Sequence, residues 1–302
     1  MIHVIKPGML SMVQDLGRFG YAHLGLSPAG AADSLSFRMA NLLVGNREDA
    51  PAIEMTLLGP TLEIHSAATL AICGARTSAS VPRNAPFAVA AGSRIAFGPL
   101  AEGARAYLAV RGGLVVPAVM NSCSTFLAAN IGGFEGRAFK AGDQIPIGNE
   151  TVGATRKLRA DFVASLTPRD GPIRVTSAPQ SDWFDQETRQ RFTQQTFIVK
   201  DSNRSGLRLQ GEPLLPATRR ELLTEGIALG AVQVPADGQP IILFLDQQTT
   251  GGYPKIANVI TADLPRIAQL RPREPARFRF VTISEALDSL RDRQRKFHAA
   301  FA

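Results

Sequence analysis

Apolar positions along this chain fall mostly into short runs that alternate with polar ones. The segments TLEIHSAATLAICGA (61–75), ARAYLAVRGGLVV (104–116), GPIRVTS (171–177), TFIVKDS (196–202) and ARFRFVTIS (276–284) are rich in β-formers and bounded by Gly, Pro or Asn. Such spacing predicts a mainly β protein built as barrels or sandwiches. A further apolar run, Ile241 to Leu245, leads straight into the polar stretch DQQTTGGYP. Helical spacing is rarer. Asp33 is a candidate N-cap for a helix with Leu35, Met39, Leu42 and Leu43 on one face, stopped at Gly45-Asn46. A second helix is predicted from Ser181 to Gln194 with Trp183, Phe184, Thr188 and Phe192 inward. A third, from Ile283 to about His298, carries its basic residues toward the C-terminal end, where the helix dipole favours them.

The apolar spacing weakens between Gly148 and Gly171, where NETVGATRKLRADFVASLTPRDG mixes charge, Gly and Pro. That segment is the expected boundary between two domains, residues 1–165 and 166–302. A faint echo between VQDLGRFGY (13–21) and FLDQQTTGGY (244–253) suits two related barrels in tandem.

Composition narrows the picture. With 302 residues, 45% hydrophobic and 20% charged, the chain is globular and long enough for more than one core. It lacks a signal-like N-terminus and any apolar run approaching the ~18 residues of a membrane span, so no membrane association and a cytoplasmic location are expected. Cys73 and Cys123 are expected as thiols. The net charge of +7 is spread along the chain apart from RDRQRKFH at Arg291, with no aromatic-and-basic recognition strand, so no nucleic-acid partner is expected. Phosphate-loop, dinucleotide, nucleophile-elbow and zinc-protease signatures are absent. His3, His23, His65 and His298 are scattered without ligand spacing, so no metal site is expected.

Three polar clusters carry candidate chemistry. In VQDLGRFGY, Gln14, Asp15, Arg18 and Tyr21 sit among glycines; the segment reads either as a turn held by an Asp–Arg pair or as an anion site built on backbone N–H groups and a guanidinium fork. In DSNRSGLRLQG (201–211), Arg204 and Arg208 flank Gly206, and solvated arginines on a strand–turn–strand compete with anion binding. In the third, Asp246, Gln248, Thr249, Thr250 and Tyr253, with the N–H groups of Gly251 and Gly252, make a dense array of hydrogen-bonding groups at the end of a buried strand.

Together with GGFEGRAF, these same segments resemble the family called allophanate hydrolase subunit 2, or biotin-dependent carboxyltransferase, and the resemblance runs in order along nearly the whole chain. QTTGGYP is its most specific part. The resemblance implies two cyclophilin-like β-barrel domains and an obligate partner, the family's subunit 1 or B-type protein, with the A-type protein as a further partner in a hetero-oligomer. It implies one of two chemistries on a small amide: ATP-dependent cleavage of 5-oxoproline to glutamate (5-oxoprolinase, a hydrolase), or carboxyl transfer from carboxybiotin to urea or a similar acceptor. A regulatory role, antagonising a kinase inhibitor, is a third possibility within the family. No biotinyl-lysine segment of the Ala-Met-Lys-Met kind and no phosphate loop is present, so no cofactor is expected on this chain alone. ATP would act with the partner subunits, or carboxybiotin on a separate carrier. A stand-alone chain favours the 5-oxoprolinase assignment.

Carried onto this sequence, the resemblance marks Asp15, Asp246, Thr249, Thr250 and Tyr253 as catalytic, and Arg18, Tyr21, Arg204, Gln248, Gly251 and Gly252 as substrate-binding. The arginines would hold a carboxylate or a related anion. The threonines and the glycine amides would stabilise charge on an amide oxygen, and the aspartates would orient these groups or move a proton. Cys123 is disfavoured as a nucleophile, because no histidine lies near it in the sequence.

Overall fold

A computed structural model describes residues 1–149, 152–159, 162, 171–217 and 220–301. Half of the expected boundary segment, 148–171, lies outside them. The chain is mainly β with a few helices, and its sheets form a half-barrel and a nearly closed barrel. It divides into two compact units: Met1–Phe19 with Pro28–Val163 and Ala299–Ala302, and Gly20–Ser27 with Ala164–His298.

In the first unit, β1 (Ile2–Lys6), β2 (Leu10–Gln14), β3 (Ala52–Thr56), β4 (Leu58–Ile64), β5 (Ala68–Thr77), β6 (Pro86–Val89), β7 (Ser93–Val110) and β8 (Gln144–Ile145) form one sheet. Its main path runs β2-β3-β7-β4-β1-β8, with β5 and β6 joined through β7. Alternation sends Ile2, Val4, Leu62, Ile64, Ile95 and Ile145 into the core. It leaves His3, Glu63 and Arg94 on the opposite face.

Strand β7 is 18 residues long because it serves two neighbourhoods. Its start pairs with β4, whereas its later part pairs with β3 and β5. Left-handed backbone at Gly98 (φ 61°) and Gly103 (φ 141°) lets it bend between them. A side chain at Gly98 would also collide with the Ser78 hydroxyl. Helix α1 (Ser34–Leu43) starts where the sequence places it, since the Asp33 carboxylate accepts the Ser36 N–H at 3.0 Å.

In the second unit, the main sheet runs β17-β10-β11-β14-β13-β16-β9-β18. These strands are β9 (Ile173–Ser177), β10 (Phe197–Ser202), β11 (Gly206–Gln210), β13 (Ala231–Gln233), β14 (Ile241–Leu243), β16 (Lys255–Val259), β17 (Pro275–Ala276) and β18 (Phe278–Phe280). A separate ribbon pairs β12 (Glu225–Gly226) with β15 (Thr250–Gly251). The helix expected over 181–194 is two pieces, a short 3-10 turn at Ser181–Trp183 and α2 at Gln186–Gln194. Phe184 is extended between them, and the Asp185 side chain caps the second piece on the Thr188 N–H at 2.7 Å. Phe192 of α2 stacks on Phe278 with centroids 4.5 Å apart and lies beside Phe197, which anchors the helix on the sheet. The apolar pattern of 276–284 yields only the short strands β17 and β18. Helix α4 (Ile283–Ala299) then begins, after the shorter α3 (Leu264–Gln269) earlier in the chain. Among the described residues no helix is long and apolar enough to cross a membrane.

Candidate functional site

The first cluster forms where β2 runs out. Thr125 grips the end of that strand: its N–H and hydroxyl both donate to the Val13 carbonyl, at 3.1 and 2.8 Å, while the Gln14 amide donates to the Thr125 carbonyl at 3.1 Å. These bonds hold the loop Asn121–Thr125 against the strand. The Asp15 carboxylate then fastens the loop. It accepts the Gly17 N–H (2.8 Å), the Ser122 hydroxyl (2.8 Å), the Cys123 N–H (2.5 Å) and the Ser124 hydroxyl. Three of these donors converge on Oδ1 and one on Oδ2, so the carboxylate is a tie point for the loop, while Asp15 also borders the neighbouring cleft.

Arg18, expected to bind an anion, is buried. Its side chain is 1% exposed, and it donates from Nε to the Val119 carbonyl (2.9 Å) and from Nη2 to the Ser124 carbonyl (2.9 Å). The fork therefore stitches the loop to the strand instead of facing solvent. Gly132 and Gly133, both at positive φ (69° and 56°), permit this packing, because a Cβ on either would strike Ser124 or Thr125. That contact accounts for the glycines of GGFEGRAF.

Cys123 borders a cleft of about 840 Å³ that is also lined by Asp15, Asn121, Asp49 and Arg156. Burial, with the Asp15 charge as a second cause, pushes its thiol pKa up, and Arg18 only partly offsets this. A raised pKa leaves little thiolate at neutral pH, opposite to what a nucleophile needs.

The second unit holds the other two clusters, and they meet in part. Arg204 and Asp246 form a bidentate pair, Nε to Oδ2 at 2.8 Å and Nη2 to Oδ1 at 2.9 Å, with side chains 4% and 7% exposed. The Asp246 N–H also donates to the Arg204 carbonyl, and Phe244 N–H to the Ser205 carbonyl, which extends the β11–β14 pairing past the end of the strands. Here the expected anion-binding fork pairs with the expected catalytic carboxylate.

Beyond Asp246 the chain turns outward. Gln248, Thr250, Gly252 and Tyr253 are exposed, Thr249 and Gly251 half-buried. The Thr249 carbonyl accepts the Ile227 N–H at 3.0 Å, and antiparallel alternation makes Glu225 and Gly251 the next hydrogen-bonded pair. The Gly251 N–H thus belongs to the ribbon, and only Gly252 of the two glycines lies past it. Tyr21, half-buried, sits in this unit at the start of a short turn, its carbonyl accepting the Leu24 N–H at 2.9 Å.

Beneath the ribbon lies a polar group that the sequence does not single out. Lys255, 4% exposed, places Nζ 2.5 Å from Glu225 Oε1, and the Gln180 amide donates to the same oxygen at 2.9 Å. Lys255 first and Gln180 second hold the Glu225 carboxyl below the usual glutamate range. Gln233 is 1% exposed, and its Nε2 has no hydrogen-bond partner; it lies 3.0 Å from where a Cβ on Gly251 would stand. Gln247, also buried, donates to the Ile227 carbonyl at 3.1 Å, while its own backbone carbonyl accepts the Ser27 hydroxyl. The available signal was a lysine opening the strand KIANV and a glutamine, Gln233, inside the apolar run AVQV.

Residues 24–280 match the family described as the carboxyltransferase domain, subdomain A and B, and the chain belongs to that family. It is 42% identical to the C subunit of 5-oxoprolinase from Escherichia coli, covering 98% of this chain and 96% of the relative. Identity to the protein of the same name from Haemophilus influenzae is 39%, over 95% and 93% of the two chains. Urea amidolyase of Saccharomyces cerevisiae is 34% identical, but this chain spans 17% of it. The crystal structure of Kluyveromyces lactis urea carboxylase superposes with a TM-score of 0.88 at 31% identity, covering 98% of this chain and 29% of that one.

Proposed function

We propose that this chain is the C-type subunit of an ATP-dependent 5-oxoprolinase. With A- and B-type partners it converts 5-oxoproline, ATP and water to glutamate, ADP and phosphate. The observation that carries this reading is the end-to-end match to relatives of that name, 96% of the first relative's length against 17% of the urea amidolyase. The chemistry is assigned to the second unit. Thr249 and Thr250, with the Gly252 N–H and the unpartnered Gln233 amide, are the donors proposed to meet charge developing on an amide oxygen. Gln248, Tyr253 and Tyr21 are proposed to contact the substrate. Asp246 and Arg204 position the ribbon, and Asp15 and Arg18 do the same for the Asn121–Thr125 loop. ATP is handled with the partner subunits.

Carboxyl transfer is the second reading, supported by the fold shared with urea carboxylase. Co-expression with the cognate A- and B-type proteins tests between them. ATP-dependent release of glutamate from 5-oxoproline, lost when this chain is omitted, is the expected result. Carboxylation dependent on a biotin carrier, without glutamate release, would replace the first reading by the second.

A further inference from the structure

The four histidines look scattered in the sequence, but strand pairing corrects that for two of them. In the antiparallel β1–β4 pair, His3 stands directly opposite Glu63, and His65 follows Glu63 by two residues, so all three share the face turned away from the core. Their ligand atoms, two imidazole nitrogens and a carboxylate oxygen, lie within 4.8 Å of one another. The two rings meet edge to face with centroids 5.7 Å apart, and His65 Nε2 is 3.6 Å from Glu63 Oε1.

We propose that His3, Glu63 and His65 bind a divalent transition-metal ion of the zinc class on the outer wall of the first unit. The donor set is the reason for the class: two imidazoles and one carboxylate suit zinc and its neighbours, whereas calcium and magnesium take oxygen ligands. Around a tetrahedral ion with bonds of about 2.0–2.2 Å, adjacent donors stand about 3.4 Å apart. Reaching that spacing needs at most about 1.4 Å of closure, which falls to the exposed His65 ring while the strand pair keeps His3 and Glu63 opposed. Arg94, opposite Glu63 on β7, donates from Nε to Glu63 Oε2 at 2.8 Å, which leaves Oε1 toward the histidines. An outer partner of that kind fixes the orientation of a ligating carboxylate. Three protein ligands leave a coordination position open to solvent or to a further ligand. The site is independent of the 5-oxoprolinase reading, because none of its residues belongs to the groups assigned there.

The test titrates the untagged full-length chain with zinc by calorimetry, and with cobalt by visible absorption, in parallel for His3→Gln, His65→Gln, His23→Gln and His298→Gln. The expected result is saturable binding of one equivalent. Affinity falls at least about tenfold in His3→Gln and in His65→Gln, and stays unchanged in the other two. Cobalt should show the d–d bands of a site with fewer than six ligands, lost in the same two variants. No saturable binding, or binding that His3→Gln and His65→Gln leave intact, would overturn the proposal. A Cys123→Ser variant that abolishes binding would assign the metal to the thiol and overturn it equally. The replaced histidines lie outside the core, so circular dichroism of each variant should match that of the parent.

Discussion

Replacing Asp246 by Asn isolates what the buried Arg204–Asp246 pair contributes. The amide keeps the shape of the carboxylate, but only one of its two termini can still accept. It sets an NH₂ group against one of the two guanidinium donors now bonded at 2.8 and 2.9 Å. Each charge-assisted hydrogen bond is worth about 1.5–3 kcal/mol, and leaving a buried charge without its partner costs about 3–5 kcal/mol. With both side chains less than a tenth exposed, screening by water discounts little of that. The expected loss is therefore about 3 kcal/mol, a large share of a typical domain's 5–15 kcal/mol. The double variant Arg204→Met/Asp246→Leu removes both charges and should recover to within about 1–2 kcal/mol of the parent. Trp183, the chain's single tryptophan, lies in the same unit and reports its unfolding in urea. A loss below about 1 kcal/mol in Asp246→Asn would refute the reasoning, as would a double variant no better than the sum of its singles.

Thr250→Val in the reconstituted complex should lower turnover by about 10²-fold or more, in the range of losing one oxyanion donor; an unchanged rate rules that role out. Cys123 should alkylate with iodoacetamide more slowly at pH 8 than a free peptide thiol. Because its pKa is raised, the rate should keep climbing above pH 9.0, the ordinary value, and activity should survive modification. Glu225 has a depressed carboxyl pKa, so its contribution to stability is complete above the unfolded value near 4.5 and is lost as pH falls through the lower folded value. Glu225→Gln should flatten that acid limb in a pH series of urea midpoints and leave the neutral limb parallel to the parent's. Lys255→Met, which keeps the apolar stem and removes the first cause of the depressed Glu225 pKa, should move that acid limb to higher pH while the chain remains folded by circular dichroism; an acid limb identical to the parent's would refute the pairing.

The fold was readable wherever a local rule and the tertiary context agreed. Asp33 caps its helix as the sequence says, the segment 61–75 falls into β4 and β5, and 196–202 becomes β10. It was less readable where one residue broke a period, as at Asp185, whereas the last helix starts at Ile283 where the sequence puts it. In the candidate site, residue membership was visible but orientation was not. A sequence marks Arg18 and Arg204 as polar groups among glycines, yet only the fold shows that backbone carbonyls and Asp246 already use their forks. Lys255 and Gln233 were hidden for a related reason: in a barrel, isolated polar residues inside apolar strands gain meaning only from their cross-strand neighbours. The pairing of His3 with Glu63 is the same effect on the outer face.

The stretch Gly20–Ser27 belongs to the second unit, although the residues on either side of it belong to the first. Arg18 N–H closes the neck of this excursion on the Pro28 carbonyl at 2.6 Å, and Ser27 bonds to the Gln247 carbonyl 220 positions later. During synthesis at about 5–20 residues per second, a nascent chain would hold that excursion without its destination for roughly 11–44 s. The N-terminal strands are therefore synthesised well before the strap's partner exists. A chain cut after the first unit's last strand would separate that strap from its anchor however well the cleavage point is chosen, so a fragment carrying residues of the second unit alone lacks Gly20–Ser27.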